Sequence, residues 1–145
     1  MPSYRTTIDS TWDVARAYDF MSDFSNAQTW DPGVVSAARL DTGAVGPGSS
    51  FDLKVSFARR VMTLRYVVRS IEPRRRVVFV ASTPRLESVD TLTFEEHDGG
   101  CRMTYDAALR LKGAGAVAHP ILALAFQRVG DRARDSLRSV LTSER

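Results

Sequence analysis

The chain has 145 residues, 43% hydrophobic and 26% charged, with a net charge of +3; that size and balance predict a single domain, 1–145, able to bury a real core. Its 20 basic residues, 18 of them Arg, are mixed among 17 acidic ones, and "RRR" at 74–76 and "RR" at 59–60 give no basic face, so no nucleic-acid partner is expected. One cysteine, Cys101, excludes an internal disulfide; no Cys/His spacing suits a metal, no apolar run approaches a membrane span, and the polar "MPSYRTTIDS" does not read as a secretory leader, so a cytoplasmic protein without metal or cofactor is expected.

In chain order, "SYRTTIDS" alternates weakly and carries β-branched residues, which predicts a first strand. "STWD" at 10–13 has the form of a capping box, a hydroxyl with an acid three residues later. Val14, Tyr18 and Met21 follow on one face of a helix that Ser22 and Asp23 end. "SNAQTW" predicts one more helical turn before Pro32, because the residue before a proline is pushed out of the helical region.

After Gly33 the period changes to two. "VVSAARL" is a strand and "GAVGPG" a turn. Phe51, Leu53, Val55 and Phe57 alternate with polar residues in the next strand, and Met62, Leu64, Tyr66 and Val68 in the one after. "RVVFVAST" follows, closed by Pro84. "ESVDTLTF" and "CRMTYDAALRL" flank "EEHDGG", whose Asp-Gly-Gly is a hairpin signal. Strands joined by short turns predict a meandering antiparallel sheet with one wet face. From Gly113 the period returns to 3.6. Pro120 suits a first helical turn, and Leu122, Phe126, Val129, Ala133, Leu137 and Leu141 form the stripe of the longest helix. The fold class is α+β: a curled antiparallel sheet of six to seven strands wrapped around a long C-terminal helix, with a short helix pair after the first strand.

With this order established, the sequence resembles the START-related helix-grip (SRPBCC) superfamily, in its polyketide cyclase/dehydrase and lipid-transport branch. The resemblance covers essentially the whole chain. It rests on "FSNAQTWDPGV", "GPGSSFDL", "EPRRRVVF", "SVDTLTFEEHDGGCRMTYDAALRLKG" and the amphipathic tail helix. It implies a cavity between sheet and helix, with the segment after the helix pair at its mouth. Trp30 then becomes a wall or lid residue, against the plainer reading that it plugs one end of the core. Asp31 is expected to cap backbone N–H groups while Pro32 and Gly33 turn the chain.

The inner face of the sheet offers Phe51, Leu53, Val55, Phe57, Leu64, Leu92 and Met103 to such a cavity, and the helix offers Phe126 and Gly130. A lining of this kind suits a hydrophobic or aromatic ligand, although any packed core shows the same residues. Gly130 in mid-helix costs about 1 kcal/mol against Ala. Either a tight helix–sheet contact or unfilled volume accounts for it, and a position beside unfilled volume is the expectation carried forward.

Polar residues on the inner face are more informative. If Leu92 and Phe94 point inward, so do Asp90 and Ser88, and Tyr66 and Tyr105 share the inward register of their strands. A buried carboxylate needs a hydrogen-bonding partner or a proton, and a tyrosine hydroxyl supplies the first. No basic residue shares those faces, so a raised pKa is expected at Asp90. Asp90 with Tyr66 and Tyr105 is the candidate acid/base set for an aldol cyclisation or dehydration, against a purely structural Asp90 near a strand end. His119, before Pro120, suits a surface or capping role, His97 belongs to a solvated hairpin, and Cys101 has no visible activating base. "GAVGPGSS" lacks the Gly-Lys-Ser/Thr of a phosphate loop and leads into a strand. Two functions are carried forward: binding or carrying a small hydrophobic or aromatic ligand, lipid or polyketide-like, and a cyclase/dehydrase-like enzyme using the same cavity. A monomer or homodimer serves either.

Overall fold

The computed structural model describes residues 3–57, 59–113 and 119–143, without the side chains of 119–123. One seven-stranded sheet carries the chain, in the order β1-β7-β6-β5-β4-β3-β2. Strand β1 (Ser3–Ser10) is followed by helix α1 (Val14–Ser22), a 3-10 turn (Phe24–Asn26) and the one-turn helix α2 (Ala27–Trp30). Strands β2 (Val34–Arg39), β3 (Ser50–Phe57), β4 (Arg60–Glu72), β5 (Arg76–Ser82), β6 (Leu86–His97) and β7 (Gly100–Leu111) meander before the last helix, α3 (His119–Leu141). All neighbours pair antiparallel, and β1 returns to lie beside β7. This is the helix-grip arrangement that the element order predicts. Register shifts in β2 between Val34 and Ser36 and in β4 between Val68 and Ser70 supply the local bends a curled sheet needs.

Alternation in the sequence maps onto the two faces of the sheet. In β6, Leu86, Ser88, Asp90, Leu92 and Phe94 are buried and their neighbours are not. The outer face carries cross-strand ion pairs, Arg65 forked onto Asp52 at 2.8 and 3.1 Å and Arg102 onto Asp9 at 2.8 and 3.2 Å. The β6–β7 hairpin turns through Asp98 and Gly99, both with positive φ (47° and 77°), the backbone of a type I′ turn.

The inner face is filled at one end by aromatic rings. Phe24, from the 3-10 turn, stacks on Phe79 at 4.1 Å and meets Tyr66 edge-on at 5.0 Å, while Phe51 packs edge-on against Phe79 at 6.0 Å. Trp30, buried in the same cluster, packs against Phe24 at 6.4 Å.

One local expectation needs correction. "STWD" is not a capping box. Asp13 is itself the cap of α1, its Oδ1 accepting from the Arg16 N–H at 2.8 Å. Ser10 stays in β1 opposite Cys101, because its hydroxyl is used elsewhere: it donates to the Leu141 carbonyl at 2.6 Å and accepts from the Trp12 N–H at 3.0 Å. A carbonyl at the end of α3 that has no partner within the helix is satisfied in this way. The last helix spans His119–Leu141, with Pro120 in its first turn as expected; the expectations for residues 114–118 and for the side chains of His119, Pro120 and Leu122 lie outside the described residues. No described helix is long and apolar enough to cross a membrane.

Candidate functional site

Away from the Phe24 plug, the sheet and α3 do not close on each other. They leave a cavity of about 140 Å³. Helix α3 roofs it with Phe126, Val129, Gly130, Ala133 and Leu137. The hairpin of β3 and β4 supplies Val55, Phe57, Met62, Leu64 and Tyr66; β6 and β7 supply Leu86, Ser88, Asp90, Tyr105 and Leu109. Trp30 and Asp31, at the end of α2, form the inner wall, and Tyr4 of β1 stands beneath α3. Ser56 is exposed and Phe57, Met62 and Phe126 are only half-buried, so the cavity reaches solvent between the β3–β4 end and α3.

The alternating strands bring Val55, Phe57, Leu64, Tyr66, Asp90 and Tyr105 to this wall, and Trp30, Phe126 and Gly130 join them. Phe51, Leu53, Leu92 and Met103 do not reach it. They face inward as expected, but the Phe24 turn and α1 cover that part of the sheet, and all four are at most 2% exposed. Their position is structural.

Gly130 lines the cavity as expected, but the need for glycine has a different cause. A Cβ at this position would fall 2.4 Å from Tyr4 Cδ2 and 2.5 Å from Tyr4 Cγ. The glycine is required by close approach of α3 to the Tyr4 ring, not by empty space beside it. Tyr4 is held in place by its hydroxyl, which donates to Asp131 Oδ1 at 2.8 Å; burial and the Asp131 carboxylate push its pKa up to about 12.

A hydrogen-bonded chain crosses the inner face. The Tyr66 hydroxyl donates to Ser88 Oγ at 2.9 Å, Ser88 donates to Asp90 Oδ1 at 3.2 Å, and Tyr105 donates to Asp90 Oδ2. The register explains how these side chains meet. Tyr66 of β4 opposes Ala81 of β5, and Ala81 opposes Ser88 of β6. The small, fully buried Ala81 lets the Tyr66 hydroxyl pass over β5. Asp90 is 6% exposed and has no ion-pair partner among the described residues.

Burial pushes the Asp90 pKa up from 3.8 to about 6, against the pull of the hydrogen bonds from Tyr105 and Ser88. The Asp31 carboxylate adds to the rise. Tyr66 and Tyr105 are pushed well above 10, first by burial and then by the charge of Asp90, so both remain neutral donors. The arrangement gives one carboxyl group with a pKa raised to about 6, held directly by Tyr105 and Ser88, and through Ser88 by Tyr66, in an apolar cavity.

Asp31 is the polar wall residue for which sequence reasoning gave only a turn role. It performs that role, with Oδ1 accepting from the Gly33 N–H at 2.8 Å. It also lines the cavity, and burial raises its pKa while the Gly33 N–H holds it down. The available signal was its place directly after Trp30, which puts both at one corner of the same wall. Cys101 is fully buried, and burial pushes its thiol up, away from a nucleophile's range. His97 lies at the surface, with Nε2 2.9 Å from Arg102 Nη2.

Comparison with solved structures bears on the fold. The chain superposes on a START superfamily protein from Mycobacterium smegmatis with a TM-score of 0.76 at 12% identity, covering 96% of each chain. It superposes on the Zhui aromatase/cyclase from Streptomyces sp. R1128 with a TM-score of 0.74 at 14% identity, over 96% of this chain and 90% of that one. On the di-domain aromatase/cyclase BexL, from the BE-7585A biosynthetic pathway, the values are 0.72 and 17%, over 99% of this chain and 50% of the other. At these identities the likeness is one of fold. Comparison with curated protein sequences finds no match. The sequence model described as polyketide cyclase / dehydrase and lipid transport matches residues 1–142, and the chain belongs to that family.

Proposed function

We propose that this protein binds a small hydrophobic or aromatic molecule in the cavity between α3 and the sheet. The observation that carries the reading is the cavity wall, which Val55, Leu64, Leu86 and Leu109 share with the aromatic rings of Trp30 and Tyr105. Apolar walls with a few placed polar groups are the usual form of a small-molecule site. Native mass spectrometry of the purified protein should detect a co-purified organic ligand. NMR titration with toluene should shift the methyl signals of Leu64, Leu86 and Leu109. A protein that carries no extra mass and whose cavity methyls ignore saturating toluene would sink the reading.

A second reading, a cyclase/dehydrase-like enzyme, is favoured by the Asp90 hydrogen-bond chain. With a pKa of about 6, Asp90 is mostly ionised at pH 7 and has the strength of a general base. It would take a proton from the carbon next to a substrate carbonyl and return it to a departing hydroxyl, with Tyr105 tracking the charge. Asp90→Asn separates the two readings: a carrier retains its bound ligand, whereas an enzyme retains ligand and loses turnover.

A further inference from the structure

We propose that the Trp30 indole N–H recognises the bound molecule, and that the cavity takes a single-ring aromatic compound bearing a carbonyl whose oxygen accepts from Trp30 Nε1. This rests on the ligand-binding reading above and specifies the ligand's chemistry.

The first support is an unmet donor. Trp30 is 3% exposed, and its Nε1 is buried without a hydrogen-bond partner. Only Arg39 Nε shares that condition among the described residues, and Arg39 is not part of the cavity wall. An indole N–H can only donate, and buried donors are rarely left unpaired. Trp30 is also firmly placed, edge-on to Tyr105 at 5.6 Å and against Phe24 at 6.4 Å.

The second support is that the other buried side-chain donors of the wall are committed. Tyr4 donates to Asp131, Tyr66 to Ser88, and Ser88 and Tyr105 to Asp90. Among the buried side-chain donors of the wall only Trp30 Nε1 has no partner, so a group that accepts without needing to donate fits it, and a carbonyl is such a group. Size sets the rest. An apolar cavity of about 150 Å³ in another protein holds one benzene; this one, at about 140 Å³, holds one ring, with substituents able to follow its opening past Phe57 and Phe126.

The test compares acetophenone with α-methylstyrene, which has the same shape with C=CH₂ in place of C=O. Affinities of both are measured for wild type and for Trp30→Phe, which keeps an aromatic ring and removes the donor. The preference for acetophenone should be about 3- to 10-fold greater in wild type than in the variant. NMR supplies a readout that does not depend on the variant. Acetophenone should move the Trp30 indole proton downfield and α-methylstyrene should not. Trp12, whose Nε1 already donates to the Ser143 carbonyl at 2.6 Å, should stay unmoved by both. If both compounds bind with the same ratio in the two proteins, or the Trp30 proton ignores the ketone, this inference is wrong and ligand binding stands. If neither compound binds and toluene also fails, the ligand-binding reading falls with it.

Discussion

Tyr105 donates its hydroxyl proton to Asp90 along a diagonal of the β6–β7 ladder, Asp90 opposing Ala107 and Tyr105 opposing Leu92. Diagonal neighbours on one face of an antiparallel pair lie within reach of a long side chain. The bond is the largest influence holding the Asp90 pKa down against burial. Tyr105→Phe should therefore raise that pKa above its present value of about 6. A ¹³C-carboxyl titration by NMR measures it directly, and an unchanged midpoint would show that the hydroxyl does not hold the charge.

The same carboxyl links stability to pH. Folding raises its pKa from 3.8 to about 6, so the native state binds the proton more tightly than the unfolded chain. Stability from this group is greatest below pH 4, is lost as pH rises toward 6, and is flat above. The size of the shift corresponds to about 3 kcal/mol at most. Asp90→Asn removes the titration while keeping the shape. The change in unfolding free energy caused by Asp90→Asn should then be more favourable at pH 7 than at pH 4, by about 2–3 kcal/mol. Urea unfolding at both pH values checks this, and an equal effect at the two would refute the buried titration.

Much of this site is legible in the sequence because strands have a period of two. Once Leu92 and Phe94 are assigned to the inner face, Asp90 and Ser88 follow, and the structure places them there. Period does not say what covers a given inward position. Phe51 and Leu92 carry the same signal as Leu64 and Tyr105, yet the first two lie in the packed core and the last two on the cavity wall. The difference comes from Phe24 and α1, whose docking is a long-range contact. Asp31 stayed out of the expected site for a related reason: in an Asp-Pro-Gly turn its local role is sufficient to explain it. Gly130 was legible as an exception, and both readings of it meet at one residue, which lines the cavity and approaches the Tyr4 ring.

Ala81 should be intolerant of larger side chains for a reason specific to the network. It lies between Tyr66 and Ser88 in the sheet and is fully buried. Ala81→Leu would place its branch where the Tyr66 hydroxyl crosses β5. Overpacking should cost about 1–3 kcal/mol, and the Tyr66–Ser88 bond should break. Tyr66→Phe alone, which removes only that bond, should cost about 0.5–1.5 kcal/mol. In the Tyr66→Phe background, Ala81→Leu should lose less than in wild type. Thermal unfolding of the four proteins tests this, and strict additivity would argue against the crossing.

Gly130→Ala opposes two effects of known direction. In an exposed helix the change gains about 1 kcal/mol of helix propensity. Here the new Cβ would sit 2.4, 2.5 and 2.7 Å from Cδ2, Cγ and Cε2 of Tyr4, inside any normal contact distance. The ring cannot swing clear cheaply. Its Cγ is next to the backbone of β1, which is fixed opposite Ala107, and its hydroxyl is tied to Asp131 at 2.8 Å. Overpacking of this kind costs about 1–3 kcal/mol, so Gly130→Ala should be destabilising despite its helix propensity. Removing the obstacle should reverse the sign: in a Tyr4→Ala background, the same Gly130→Ala should stabilise by up to about 1 kcal/mol. Chemical denaturation of the wild type, the two single variants and the double variant measures both steps. A destabilisation that persists without the Tyr4 ring would place the cost elsewhere in α3.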